Sequence, residues 1–514
     1  MQQAVSDIAA DARFARLRDI VAEVADLRST ASLLSWDQET YMPPGGAEAR
    51  AQQISTIRKL AHERFTTDEL GTLLDELESP AADLEPHSRE AAMVRVIRRD
   101  YDKATMLSSE LVARLATAVS RGKEAWRAAR QSDRFATFAP HLERLVDLNV
   151  EKAEAYGYEH DIYDALLDDY EPGMKTSLLD EIFSELRDGL ITLVDAIAAE
   201  EPIDDAVLHQ HFDTEAQWAF GEEVIRDIGY DFGRGRQDLS THPFTTTFST
   251  GDVRITTRVS EDFLSPGLFS TLHEAGHALY EQGIDPALER SLLADGASLA
   301  LHESQSRLWE NLIGRSRPFW QRYYPRLQSI FPERLSNVTI DAFYRAVNRV
   351  EPGAIRVEAD EVTYNLHIML RFEIEKALLE GRTATVDLPE IWHAKMKEYL
   401  GVTPANDAVG VLQDIHWSLG AFGYFPTYAL GNLMSTQIFE KAARDLTDIE
   451  EHVAEGRFVE LLAWLREHIH RHGRTMDALE ILEQATGRGL GAGSWLGYVR
   501  RKYGQLYPGI ARIA

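Results

Sequence analysis

With 514 residues, 44% of them hydrophobic and 27% charged, the chain is long enough for one large two-lobed protein or for two domains. Its net charge of −29 argues against nucleic acid as a partner, because phosphate binding needs clustered Lys and Arg. There is no cysteine for a disulfide or a thiolate metal site, and no apolar run approaches the ~20 residues of a membrane helix.

Taken in order, most of the chain reads as helix. Met1-Gln2-Gln3-Ala4 leads into a polar amphipathic segment, without the basic region and apolar core of a signal peptide, so a cytoplasmic location is expected. Phe14, Leu17, Ile20, Val21, Val24 and Leu27 recur at helical spacing, with Ser29-Thr30 as a point where that helix could end. Residues 89–130 and 178–200 show the same period, with charge-rich outer faces. Pro43-Pro44-Gly45-Gly46, Glu171-Pro172-Gly173 and Glu351-Pro352-Gly353 mark loops. One region departs from this pattern. Residues 244–259 are rich in Thr, Val, Ile and Phe around a Thr250-Gly251-Asp252 turn, which predicts a β-hairpin. In its second strand Val253, Ile255, Thr257 and Val259 share one face, and Arg254, Thr256 and Arg258 the other.

The next element carries the chemistry. Ser265-Pro266-Gly267 signals a helix start, Leu268, Leu272 and Leu279 a packing face, and Gly283 a stop. Inside it stands His273-Glu274-Ala275-Gly276-His277. Residues four apart on a helix lie about 40° apart and about 6 Å along the axis. His273 and His277 can therefore both reach one zinc ion, about 2.0–2.1 Å from each. Glu274, about 100° round the helix, stands where a carboxylate can take a proton from water beside the metal. The bland alternative is a solvated helix face with two incidental histidines. A second helix is predicted over residues 297–313 and contains His302-Glu303-Ser304-Gln305. Glu303 is either a third metal ligand or a surface carboxylate paired with Arg307, worth about 0.3–0.5 kcal/mol.

Five motifs follow one another across residues 252–417: Asp252-Val253-Arg254-Ile255-Thr256, the two just described, Ile355-Arg356-Val357-Glu358-Ala359-Asp360, and Gly410-Val411-Leu412-Gln413-Asp414-Ile415-His416-Trp417. With Ser35-Trp36-Asp37-Gln38-Glu39-Thr40 near the start, they make the whole chain resemble the carboxypeptidase Taq family of zinc metallocarboxypeptidases. The resemblance implies a mainly α, large two-lobed metallopeptidase with a deep active-site groove and a small β-sheet near the zinc helix. A single domain over 1–514 is expected, with about 1–200 as a wall or lid and 240–430 carrying the motifs. The implied cofactor is one divalent metal, zinc or alternatively cobalt, on His273, His277 and Glu303, with Glu274 as general base. The implied partners are a peptide with a free C-terminus and a second copy of the chain in a homodimer, with no nucleic acid and no membrane.

Hydrolysis also needs a donor for the oxyanion. Tyr424 and Tyr428 are the candidates, Tyr424 first, although either could be a core aromatic. Attack at a C-terminus needs a cation for the terminal carboxylate, and the planar arginine fork suits it. The resemblance makes Arg356 the first choice, with His416 and Gln413 as further donors. From the residues alone, Arg356 beside Glu358 and Asp360 reads as a structural ion pair. Arg254 has two readings, substrate positioning or a salt bridge with Asp252. The hairpin edge either receives an extended substrate or braces the cleft floor. Two rivals remain: a zinc oligopeptidase that cuts internally, and a non-catalytic metal scaffold, which has no need of Glu274.

Overall fold

The computed structural model describes residues 8–512, with side chains through 510, so the Met1–Ala4 start lies outside the described residues. The chain forms two compact units. One comprises the segment ending at Thr105 together with Ala206–Val347 and Ile438–Gly489. The other comprises Met106–Asp205, Asn348–Gln437 and the segment from Leu490. The motif-bearing stretch 240–430 is thereby divided, with the histidine motifs in the first unit and the arginine and Gln-Asp motifs in the second. No helix among the described residues is long and apolar enough to cross a membrane.

In the first unit, helix α1 (Ala12–Thr40) starts at Asp11, whose carboxylate accepts from the Arg13 N–H. Its buried stripe of Phe14, Leu17, Ile20, Val21 and Val24 follows the predicted spacing. The helix does not stop at Ser29-Thr30. The Thr30 hydroxyl bonds back to the Asp26 carbonyl, and without Gly or Pro the helix continues to Thr40.

The predicted hairpin is present and gains a third strand. Strand β1 (Gln237–Leu239) pairs parallel with β3 (Asp252–Thr257), which pairs antiparallel with β2 (Thr245–Ser249). The order β1-β3-β2 leaves β2 at an edge. Val253, Ile255 and Thr257 are buried as the alternation requires, and Thr256 is buried as well. Its hydroxyl is tied to Ser240 and to the Phe244 backbone.

Helix α2 (Leu264–Gly283) is buried along nearly its whole length, and α3 (Leu299–Arg307) begins at Ser298, whose hydroxyl accepts from the Leu301 N–H. These helices meet at Gly276. A β-carbon there would lie 2.6 Å from Ser306 Cα and 2.7 Å from the Gln305 carbonyl oxygen. Only glycine lets the backbones approach this closely, and the approach brings Glu303 to the histidines. Gly276→Ala should force the helices apart, destabilise the fold by about 1–3 kcal/mol and weaken metal binding, as denaturant unfolding and metal titration would show. Beyond Arg307 the helix widens into a π-turn, Leu308–Ile313, which carries Glu310.

The second unit is helical too. Helix α4 (Tyr364–Leu379) is almost entirely buried, including Arg371 and Glu375. The loop that follows residue 400 is anchored where Trp126 Nε1 donates to the Leu412 carbonyl, 3.0 Å, and where Asp407 accepts from the Phe135 N–H, 2.9 Å. The buried pair Lys502–Glu361, 2.7 Å, fastens the C-terminal helix Gly493–Leu506.

Candidate active site

His273, His277 and Glu303 converge, with one donor atom from each lying within 4.8 Å of the others. Glu303 Oε2 stands 3.6 Å from His273 Nε2 and 3.5 Å from His277 Nε2. Ligands placed tetrahedrally about 2.0–2.1 Å from one ion lie roughly 3.3 Å apart, so the three fit a divalent metal with one position left open. The donors also suit such an ion. Burial holds His277 well below its ordinary range, at about 3, so its imidazole is neutral. Burial opposes the charge on Glu303, but Arg307 and His273 outweigh it and keep the carboxylate ionised. Glu303 is also paired with Arg307, whose Nε donates to its other oxygen at 2.7 Å, but it is buried and not a surface carboxylate.

Each of the three donors is braced from behind, as metal ligands generally are. His273 Nδ1 lies 2.9 Å from Glu310 Oε2. Glu310 is held in turn by Arg307 at 3.3 Å and Arg315 at 3.4 Å. His277 Nδ1 lies 2.6 Å from His302 Nδ1, and His302 Nε2 lies 2.7 Å from Glu281 Oε1. The Ser306 hydroxyl, 3.2 Å away, donates to Glu303 Oε2.

Glu274 is not part of the ligand set. Its Oε2 accepts from the Thr245 hydroxyl at 2.6 Å, which fixes the carboxylate against the edge strand β2. Burial pushes Glu274 above the usual carboxyl range, while His273 and Thr245 pull the other way. A raised carboxyl is a stronger base when ionised, which suits proton transfer near neutral pH. Arg254 proves to be half of a bidentate pair with Asp252, 2.8 Å at both oxygens. Its guanidinium lies between the Trp36 and Phe248 rings, 4.3 and 4.9 Å from their centroids.

The second unit gathers Arg356, Gln413, His416, Tyr424 and Tyr428. The ion-pair partner of Arg356 is neither Glu358 nor Asp360 but Asp414, with Nη2 2.8 Å from Oδ1. Asp360 caps a local turn instead, accepting from the Val362 and Thr363 N–H groups. Arg371 takes the other Asp414 oxygen, 2.6 Å from Nε. Burial works against the Asp414 charge, but Arg371 and Arg356 hold the carboxyl far below its usual range. Gln413 serves this cluster structurally. Its carbonyl accepts from the Arg356 N–H and from Arg371, and its amide donates to the Ala354, Val409 and Gly410 carbonyls. His416 sits among Tyr424, Phe425 and Tyr428, and burial lowers it to about 4, so it is neutral at pH 7. The Tyr428 ring packs against that of Tyr424, 5.4 Å between centroids, and lies 5.0 Å from the Arg356 guanidinium.

Sequence reasoning passed over Glu375, which accepts from Tyr163 Oη, Trp417 Nε1 and the Gly423 N–H at 2.7, 2.9 and 3.1 Å. It thereby holds the loop bearing His416 and Tyr424. Burial pushes Glu375 up to about 7. Between the ordinary carboxyl range and that value the folded chain binds more protons than the unfolded one, so this group's contribution to stability falls as pH rises through that window. The slope is at most about 1.4 kcal/mol per pH unit. Glu375→Gln should remove it, as thermal unfolding at pH 5 and pH 7.5 would show. Glu310 and Glu281 were also passed over, although their spacing from Glu303 and His277 places them on the same helix faces. Thr245 had no sequence signal, because its partner lies 29 residues away.

A family model described as carboxypeptidase Taq (M32) metallopeptidase matches residues 16–503. A thermostable carboxypeptidase 1 of Thermus thermophilus is 43% identical over 97% of this chain and 99% of its own length. Carboxypeptidase 1 of Bacillus subtilis is 38% identical, covering 95% and 97%. The crystal structure of an M32 carboxypeptidase from Deinococcus radiodurans superposes with a TM-score of 0.94 at 44% identity, over 97% of this chain and 100% of that one. A fold and a sequence match that each span nearly the whole chain lead to one conclusion: the chain belongs to the carboxypeptidase Taq (M32) family of metallopeptidases.

Proposed function

We propose that this metallocarboxypeptidase holds zinc on His273, His277 and Glu303 and releases single amino acids from free peptide C-termini, with Glu274 as general base. The observation that carries this reading is the pairing of a three-donor metal set with a buried carboxylate, Glu274, that is held beside it without joining it. Neutral imidazoles with one carboxylate suit zinc, and cobalt would fit the same donors. When bound, the metal supplies Lewis acidity that polarises the scissile carbonyl and makes water nucleophilic near neutral pH. Glu274 takes the proton from the attacking water and passes it to the leaving amine. Tyr424 is the first choice as phenol donor to the oxyanion, with Tyr428, whose ring packs against it, as the second. The edge strand β2 offers unpaired backbone groups for an extended peptide.

Recognition of the terminal carboxylate falls to Arg356, with His416 as a neutral donor and Gln413 as its brace. What supports this is charge. Arg356 and Arg371 share a single carboxylate, Asp414, so the buried cluster keeps a positive charge that a peptide carboxylate would neutralise. Arg254 is proposed to position substrate only indirectly, by stiffening the hairpin. A cytoplasmic location and a homodimer complete the proposal. The lack of cysteine suits a reducing compartment, and the dimer rests on the family resemblance.

The test of the carboxylate assignment is a cycle of four rates. Amidating the C-terminus and replacing Arg356 by Ala should each lower kcat/KM by about 2–5 kcal/mol, roughly 30-fold or more. The losses should not add, because each removes one end of the same contact. Arg356→Lys should recover only part, since an ammonium lacks the fork. Fully additive losses would move the carboxylate site away from Arg356 and towards His416.

A further inference from the structure

We propose that His302 and Glu281 form a positioning relay that fixes the tautomer and orientation of His277, tying α3 to α2 by hydrogen bonds beside the metal set. The inference rests on the metalloenzyme reading above and extends it to two residues with no place in the ligand set or the proton transfer.

The protons available to the two imidazoles fix the direction of these bonds. His277 turns Nε2 towards Glu303, so Nε2 is the ligating nitrogen and must be bare. A neutral imidazole then carries its proton on Nδ1. That nitrogen faces another ring nitrogen, His302 Nδ1, at 2.6 Å, a contact that holds only if one of the two brings a proton and the other a lone pair. His302 Nδ1 is therefore the acceptor. Its own proton sits on Nε2 and is donated to Glu281 Oε1, 2.7 Å away. The chain of bonds runs in one direction and permits no other tautomer while His277 ligates.

The surroundings leave the relay little room to adjust. Glu281 is 3% exposed, one helical turn beyond His277 on α2. His302 precedes the ligand Glu303 on α3, and its ring lies 5.2 Å from that of Tyr280. At Gly296 a β-carbon would come within 2.8 Å of His302 Cδ2, so a side chain there would collide with the ring. The two histidine ligands are thus oriented differently. His273 meets a carboxylate directly, whereas His277 meets one through a second imidazole. Removing a partner behind a ligating histidine typically costs about 10–100-fold in metal affinity.

The experiment is a cobalt titration of the full-length apoprotein, followed by the visible absorption of the bound ion and by chelator competition, alongside thermal unfolding without metal. His302→Phe keeps a ring but no acceptor, and Glu281→Leu removes the terminal carboxylate. Each should weaken cobalt binding about 10–100-fold and alter the absorption bands, and the double variant should be little worse than His302→Phe alone. Glu281→Gln keeps the shape and an acceptor oxygen, and should stay within a few-fold of wild type even if Glu281→Leu folds poorly. Unchanged affinity and spectrum in His302→Phe would overturn the relay, as would fully additive losses. His277→Ala separates the two levels of the argument. If it abolishes binding while His302→Phe does not weaken it, only the relay fails; if it binds cobalt like wild type, the metal-site reading itself fails.

Discussion

Glu274→Gln is expected to keep its metal and lose about 10²–10⁴-fold or more in kcat. The amide preserves the shape of the side chain and can still accept from Thr245, so the fold and the three ligands should be undisturbed. What it cannot do is accept a proton. Because burial raises the Glu274 carboxyl, the acid limb of the wild-type pH profile should lie above the ordinary carboxyl range, with activity falling as Glu274 becomes protonated. The measurement is steady-state turnover and metal content of the same preparation. Near-normal turnover with full metal occupancy would remove Glu274 from the mechanism.

Stripping the metal should abolish activity and leave the chain folded. Helices α2 and α3 pack on an apolar interior that includes Leu268, Phe269, Leu272, Leu279, Leu301 and Leu308, and that core does not depend on an ion. Metal should still add stability through mass action, about 3–4 kcal/mol at 100- to 1,000-fold excess over Kd. Chelation should therefore lower the thermal midpoint while circular dichroism stays native, and zinc should restore both midpoint and activity. His273→Ala, His277→Ala and Glu303→Ala should each prevent that recovery at ordinary metal concentrations. Without metal, the Glu303 and Glu310 charges outweigh burial and raise His273, so binding displaces a proton and affinity should fall as pH falls. A Glu303→Ala protein that binds zinc like wild type would place the third ligand elsewhere.

Much of this molecule can be read from its sequence where the physics is local. The apolar stripe of α1, the start and stop of α2, the hairpin and the His273–His277 spacing all depend on residues within a few turns of each other. The mistaken or missing readings have particular causes. Ser29-Thr30 looked like a break, yet Thr30 satisfied its hydroxyl on the preceding turn and the helix continued. β1 is three residues long, too short to show an alternation, and exists because β3 offers it a parallel partner. The Arg356 partner was sought among its neighbours and lies 58 residues away, in the loop stacked against it. His302 and Glu281 were visible as residues, but their roles depend on which ring nitrogen faces which, and only packing decides that.

The central claim is metal-dependent removal of residues one at a time from a free C-terminus. Mass spectrometry of one peptide, incubated in free-acid and amidated forms with zinc-loaded protein and with the Glu274→Gln variant, tests it most directly. The free acid should yield a ladder of products shortened singly from the C-terminal end. The amide should be cut far more slowly, and Glu274→Gln should leave both nearly intact. Internal fragments formed equally from acid and amide would contradict the account and identify an enzyme that cuts within the chain.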